Sequence, residues 1–141
     1  MADIGEIVAK PREIEILKPD GSDSILGVEV GLRSLDDPKL KAVKRKIQNE
    51  GNRLAAKGKS FKAEDIEDNM FEVLFTAMTH WKWYNPTGAE GDDGFDADAA
   101  PVFEDEVPDF NRRMVKKVFD KLPWFQKQVK DAVDDETAFF I

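Results

Sequence analysis

The chain contains one histidine, His80, and no cysteine, so few of its residues can carry acid–base or metal chemistry. A disulfide, a thiolate zinc site and a cysteine nucleophile are excluded outright. With no second histidine, a zinc site on His80 would need three carboxylates, an uncommon donor set. A serine nucleophile needs a shaped turn with a base in reach, whereas Ser22, Ser24, Ser34 and Ser60 stand in turn or helix-cap contexts. No Gly-x-Gly-x-x-Gly or Walker sequence offers a phosphate cradle. His80 therefore reads as a packed or half-exposed helical histidine, and the expectation is no catalytic residue, no metal ligand and no cofactor.

Charge is the next possible source of chemistry. The 141 residues carry a formal charge of −8, from 29 acidic and 21 basic side chains. Nine of the acids fall between Glu90 and Asp109, in a stretch with no lysine or arginine from Tyr84 to Asn111. A calcium loop of the helix–loop–helix type needs oxygen donors at its first, third and fifth positions, glycine at the sixth and glutamate at the twelfth. Starting at Asp92 places Gly94 third and Phe103 twelfth. Starting at Asp93 gains Glu104 at the twelfth position and loses the third, fifth and sixth. Neither register fits, and a solvated acidic loop over 85–108 is expected.

The basic residues gather elsewhere. Lys39, Lys41, Lys44, Arg45, Lys46, Arg53, Lys57, Lys59 and Lys62 stand against the single acid Glu50. Phosphate could use such a patch, but no aromatic residues interleave it and the rest of the chain repels phosphates. A solvated helix face accounts for it better, and next a partner for the acidic loop in the same or another copy, a layout that suits head-to-tail self-association.

Elements that position these residues follow from periodicity. Residues 13–17 and 26–33 alternate with the two-residue period of strands, and Pro19-Asp20-Gly21 supplies a turn between them. A lone hairpin is marginal in water, so its apolar face must dock on helices or on another chain. Asp36-Asp37-Pro38 opens a helix over about 38–57, with Leu40, Val43, Ile47 and Leu54 on one face and Gly58 closing it. A second helix is expected over about 62–83, with Ile66, Met70, Val73, Leu74, Ala77, Met78 and Trp81 at helical spacing. Asp109 is expected to cap a third helix over about 110–122, and Pro123 to begin a fourth carrying Trp124, Phe125 and Val129. The fold class is α+β, mainly α: an N-terminal β-hairpin followed by about four helices, with a long acidic loop before the third. One domain spans 1–141, with 1–12 expected to be flexible.

Two aromatic groups remain, Trp81, Trp83 and Tyr84 with Trp124 nearby in type, and Phe139 with Phe140 at the end. They serve either the core or an exposed protein interface. With the basic Lys44, Arg45 and Lys46, they are the candidate interface residues. Met1 to Arg12 holds no apolar run of the kind a signal peptide needs, and no run approaches the ~20 residues that span a bilayer. A soluble, cytoplasmic protein is expected.

The order of segments is familiar. Gly27-Val28-Glu29-Val30-Gly31-Leu32-Arg33-Ser34 leads to Asp36-Asp37-Pro38 and a lysine-rich helix. Asp65-Ile66-Glu67 then runs to Leu74-Phe75-Thr76-Ala77-Met78-Thr79-His80-Trp81. After a variable loop come Phe119-Asp120-Lys121-Leu122-Pro123-Trp124-Phe125-Gln126-Lys127-Gln128-Val129 and a final Thr137-Ala138-Phe139-Phe140. Over about residues 26–141 this resembles the tail assembly chaperones of long, non-contractile-tailed (lambda-like) bacteriophages. The first 25 residues lie outside the pattern, and the acidic loop is an elaboration upon it.

The resemblance implies a non-enzymatic role in the host bacterial cytoplasm. Such a chaperone binds the tape measure protein, keeps it soluble and helps recruit tail tube protein subunits during tail morphogenesis. It is absent from the mature virion. Partners implied are the tape measure protein, the tail tube protein, a weak homo-oligomer and a longer form made by ribosomal frameshifting. No membrane is implied. The alternative is a small nucleic-acid-binding regulator using the basic first helix.

Overall fold

A computed structural model of the chain describes residues 4–86 and 100–140. Strand β1 (Arg12–Leu17) pairs antiparallel with β2 (Ile25–Leu32), giving the expected hairpin. Two helices follow, α1 (Pro38–Ala56) and α2 (Ala63–Ala77). The chain then returns to the sheet as β3 (Met78–Trp83), antiparallel to β2, so the strand order is β1-β2-β3. Helices α3 (Arg112–Lys121) and α4 (Pro123–Asp134) complete the domain, and a 3₁₀ turn, Glu136–Phe140, ends it. The class is α+β, with the hairpin and four helices expected and a third strand that was not.

That third strand corrects the expected second helix, which stops at Ala77 rather than near residue 83. Ala77, Met78 and Trp81 satisfy a helical spacing, but Trp81 and Trp83 also satisfy the strand period. Pairing decides between them: Trp81 lies opposite Val30 and Trp83 opposite Val28. As a strand, the segment buries Trp81 and half-buries Trp83 on the face that already carries Val28 and Val30, and completes backbone hydrogen bonds along β2.

Local signals place the other boundaries well. Asp37 Oδ1 accepts from Lys39 N at 2.8 Å and Pro38 opens α1. At the far end Gly58 takes φ +70°, its N–H donates to Ala55 O, and Lys59 N donates to Leu54 O, both at 2.9 Å. This closes α1 with the paired bonds of a glycine C-terminal cap. The third helix is capped by Asn111, whose Oδ1 accepts from Met114 N at 2.8 Å, and not by Asp109 as expected. Asn111 is extended at φ −151°, as a cap residue should be, which sets the first turn two residues later.

The core lies between the inner face of the sheet and α2, α3 and α4. Ile16, Val28, Val30, Val115, Val118, Phe125 and Val129 have no exposure at all. Phe125 sits at its centre, with Trp81, Trp83, Phe119 and Trp124 at ring-centroid distances of 6.0–6.4 Å. The outer edge of β1 is held by Gln128 on α4: its amide accepts from Leu17 N at 2.8 Å and donates to Leu17 O at 2.9 Å. One side chain thus replaces a missing strand over that residue and blunts the edge.

Helix α1 is peripheral. Of its 19 residues only Leu40 is buried, and it lies along α2. Just before β1 the chain is tied to the domain at two residues: Lys10 N donates to Phe139 O at 2.8 Å and Ser34 Oγ to Ala9 O at 2.9 Å. Only 87–99 of the acidic loop lie outside the described residues, and with them most of both calcium registers. The later part folds back, with Phe103 buried and Glu104 bridging Lys117 at 2.5 Å and Lys121 at 3.3 Å on α3. No helix among the described residues is long and apolar enough to cross a membrane.

Candidate functional site

The expected interface residues divide between core and surface. Trp81 is buried, its Nε1 donates to Pro108 O at 3.0 Å, and its ring meets Trp83 and Phe110 edge-on. Phe139 is buried beneath the Arg12 guanidinium, 5.3 Å from the ring centroid. These two serve the core, which corrects their assignment to a surface. Trp83 and Trp124 are half-buried against Phe125, and the enclosed Trp83 indole N–H has no hydrogen-bond partner among the described residues. Phe140 is half-exposed at 51%. Ile4, Ile7 and Val8, on the segment tied to the Phe139 carbonyl through Lys10, are exposed as well.

Lys44, Arg45 and Lys46 all point outward from α1. Arg45 and Lys46 border a shallow surface depression with Ala42, Asn49, Glu50 and Arg53, in which Arg53 is paired with Glu50. Among the described residues no ion pair joins the acidic loop to this patch, and Glu104 pairs instead with Lys117 and Lys121 on α3.

A second surface was not foreseen from sequence. The outer face of the sheet carries Glu13 and Glu15 from β1, Glu29 from β2, and His80 and Lys82 from β3. Register stacks them in rows across the three strands. Glu13, Gly31 and His80 share one row, and Glu15, Glu29 and Lys82 the next. Gly31 matters because a Cβ there would collide with the His80 ring and with Thr79 Oγ1. The absent side chain lets the imidazole lie across β2, where its Nε2 comes within 3.6 Å of Glu13 Oε1 on the far strand.

A β-bulge aims the ring. Gly31 pairs with His80 but Leu32 pairs with Met78, so Thr79 is an extra residue on β3. Thr79 and His80 consequently both face outward, and Thr79 Oγ1 meets His80 Nδ1 at 2.9 Å. Were β3 regular, Thr79 would turn inward and lose its contact with His80; were the segment helical, His80 would not reach β1.

Charge on this face is unbalanced. Glu29 lies opposite Glu15 and within hydrogen-bonding reach of Glu13, so a shared proton with Glu13, partial burial and the charges of both neighbours hold its carboxyl above the ordinary range, with Lys82 opposing. Tyr84, just beyond β3, donates its hydroxyl to Glu15 Oε2 at 2.7 Å. Burial and that bond to a carboxylate push the phenol up to about 12. Glu13, Glu29 and His80 each offer a ligand atom, and these atoms lie within 4.8 Å of one another. Side chains so distant in sequence give no local pattern; the only early signal was the alternation that put the three glutamates on one face of the hairpin.

Comparison of the chain with family models, with curated proteins and with solved structures returned no match.

Proposed function

We propose that this chain is a bacteriophage tail assembly chaperone, which binds the tape measure protein and helps recruit tail tube subunits in the host bacterial cytoplasm. The observation that carries the reading is the ordered set of segments it shares in kind with such chaperones. In the fold these segments are successive working units of one domain. Gly27–Arg33 forms most of the central strand, Asp36-Asp37-Pro38 the cap of α1, and Thr76–Trp81 the passage from helix to strand. Leu122-Pro123-Trp124 makes the joint between α3 and α4, and Ala138–Phe140 the closing turn.

The available surfaces suit that role. A protein that coats a long helical partner needs contacts that many copies can repeat and exchange, and it gains from modest apolar patches among charges. The basic outer face of α1, and the exposed Phe140 with Ile4, Ile7 and Val8, supply both kinds. Weak self-association along the partner belongs to the same proposal, and a longer frameshifted form would present the same domain.

Co-expression with the tape measure protein tests it. The expected result is a soluble tape measure protein that co-purifies with the chain; equal solubility and tail assembly without the chain would refute the role. The exposed Lys44, Arg45 and Lys46 favour one rival, a small nucleic-acid-binding regulator. Gel shifts across a salt series separate the two, because only a phosphate binder loses affinity steeply as salt rises.

A further inference from the structure

The geometry points to a divalent transition-metal site, zinc in the first instance, on the outer face of the sheet, held by Glu13, Glu29 and His80 Nε2. It stands apart from the assembly role and does not depend on it. Each strand contributes one ligand, so the pairing that defines the sheet also sets the spacing of the donors.

Several features separate this cluster from a random meeting of surface charges. The imidazole is positioned from below by the gap at Gly31 and along the strand by the bulge at Thr79. Thr79 Oγ1 occupies Nδ1, which leaves Nε2 directed at Glu13. A partner on one ring nitrogen that orients the other toward the metal is the usual arrangement around ligating histidines. The donor separations also fit. Three ligand atoms, each about 2 Å from a central ion, stand about 3.3 Å apart in tetrahedral geometry. His80 Nε2 and Glu13 Oε1 are already 3.6 Å apart, and the whole set lies within 4.8 Å. Small rotations of the exposed Glu13 and the half-buried Glu29 carboxylates close the remainder.

The donor chemistry selects the ion. The imidazole favours zinc and its neighbours, with two carboxylates and water completing a set that is uncommon for zinc, whereas calcium and magnesium favour shells of six or more oxygens. Three protein ligands leave the fourth position facing solvent, where water completes the shell. Glu15 adds negative charge beside the site, and Lys82, opposite Glu29, competes for its carboxylate.

Because His80 is the only histidine, its ring signals in nuclear magnetic resonance report on this site alone. The experiment is titration of the full chain with zinc ion, followed by ¹⁵N and ¹H shifts of that ring and by calorimetry. The expected result is a saturating shift at one equivalent, with ¹⁵N values showing coordination through Nε2, and binding that survives millimolar magnesium. Thr79→Val should weaken binding about tenfold. His80→Ala, Glu13→Gln and Glu29→Gln should each weaken it more, with unchanged tryptophan fluorescence showing that the fold is intact. Zinc bound elsewhere, with His80 signals unmoved or with equal affinity in His80→Ala, would overturn the site. So would the absence of binding below millimolar zinc.

Discussion

The two faces of the three-stranded sheet are written in the same strands, residue by alternate residue, and they could hardly differ more. On the inner face Ile16, Val28, Val30 and Trp81 disappear beneath three helices, and Phe125 gathers an aromatic cluster around itself. On the outer face the alternating positions hold three glutamates, a lysine and the single histidine, separated by Gly27 and Gly31. The inner face is specified by volume, and a change there is felt throughout the packing. The outer face is specified by spacing: glycines and bulges set where charged ends can meet, and little stability depends on them. A face of that kind is free to bind.

The contrast can be broken most forcefully at Phe125. Phe125→Ala should cost about 3–5 kcal/mol in urea unfolding, since it empties the middle of the cluster. A loss below about 1 kcal/mol would mean that the inner face is not the organising core. Gln128→Ala probes the border between the two faces, where a helix side chain closes the edge of β1. Removing its two bonds to Leu17 should cost about 1–2 kcal/mol, and hydrogen exchange at the Leu17 amide should quicken.

Glu29→Gln should have the smallest effect and the most informative pH dependence. The folded carboxyl titrates above the ordinary 4.5, so the folded state holds this proton more tightly than the unfolded chain. The stability it contributes is present below 4.5 and is lost as pH rises through the folded value. Glutamine suffers no such loss, so at pH 7 the variant should be the more stable by about 0.5 kcal/mol or less, after solvent screening. The difference should vanish near pH 3. A variant that is less stable than the parent at pH 7 would show that Glu29 is a structural residue.

How legible this was depends on the range of the signal. The hairpin and α1 were readable because alternation, Asp37-Pro38 and Gly58 act within a few residues. The end of α2 was not, because Ala77, Met78 and Trp81 fit a helix locally while the partner that makes them a strand, β2, lies far back in the chain. That single error hid the outer-face cluster, since a helical His80 has no route to Glu13. The aromatic residues were ambiguous for a different reason. Composition shows that Trp81 and Phe139 need a partner surface, and only the packing shows that the core supplies it. Lys44, Arg45 and Lys46 were simpler, because a charge run on a peripheral helix has nowhere to go but outward.

The claim beneath this account is that the fold rests on the inner face and leaves the outer face free for binding. Its most direct test is the urea unfolding of a triple variant, Glu13→Gln, Glu29→Gln and His80→Gln, measured at pH 7 without added metal. The expected result is stability within about 0.5 kcal/mol of the parent, as for surface substitutions away from packing. A loss of about 2 kcal/mol or more would contradict it, and would make the outer face part of what holds the sheet together.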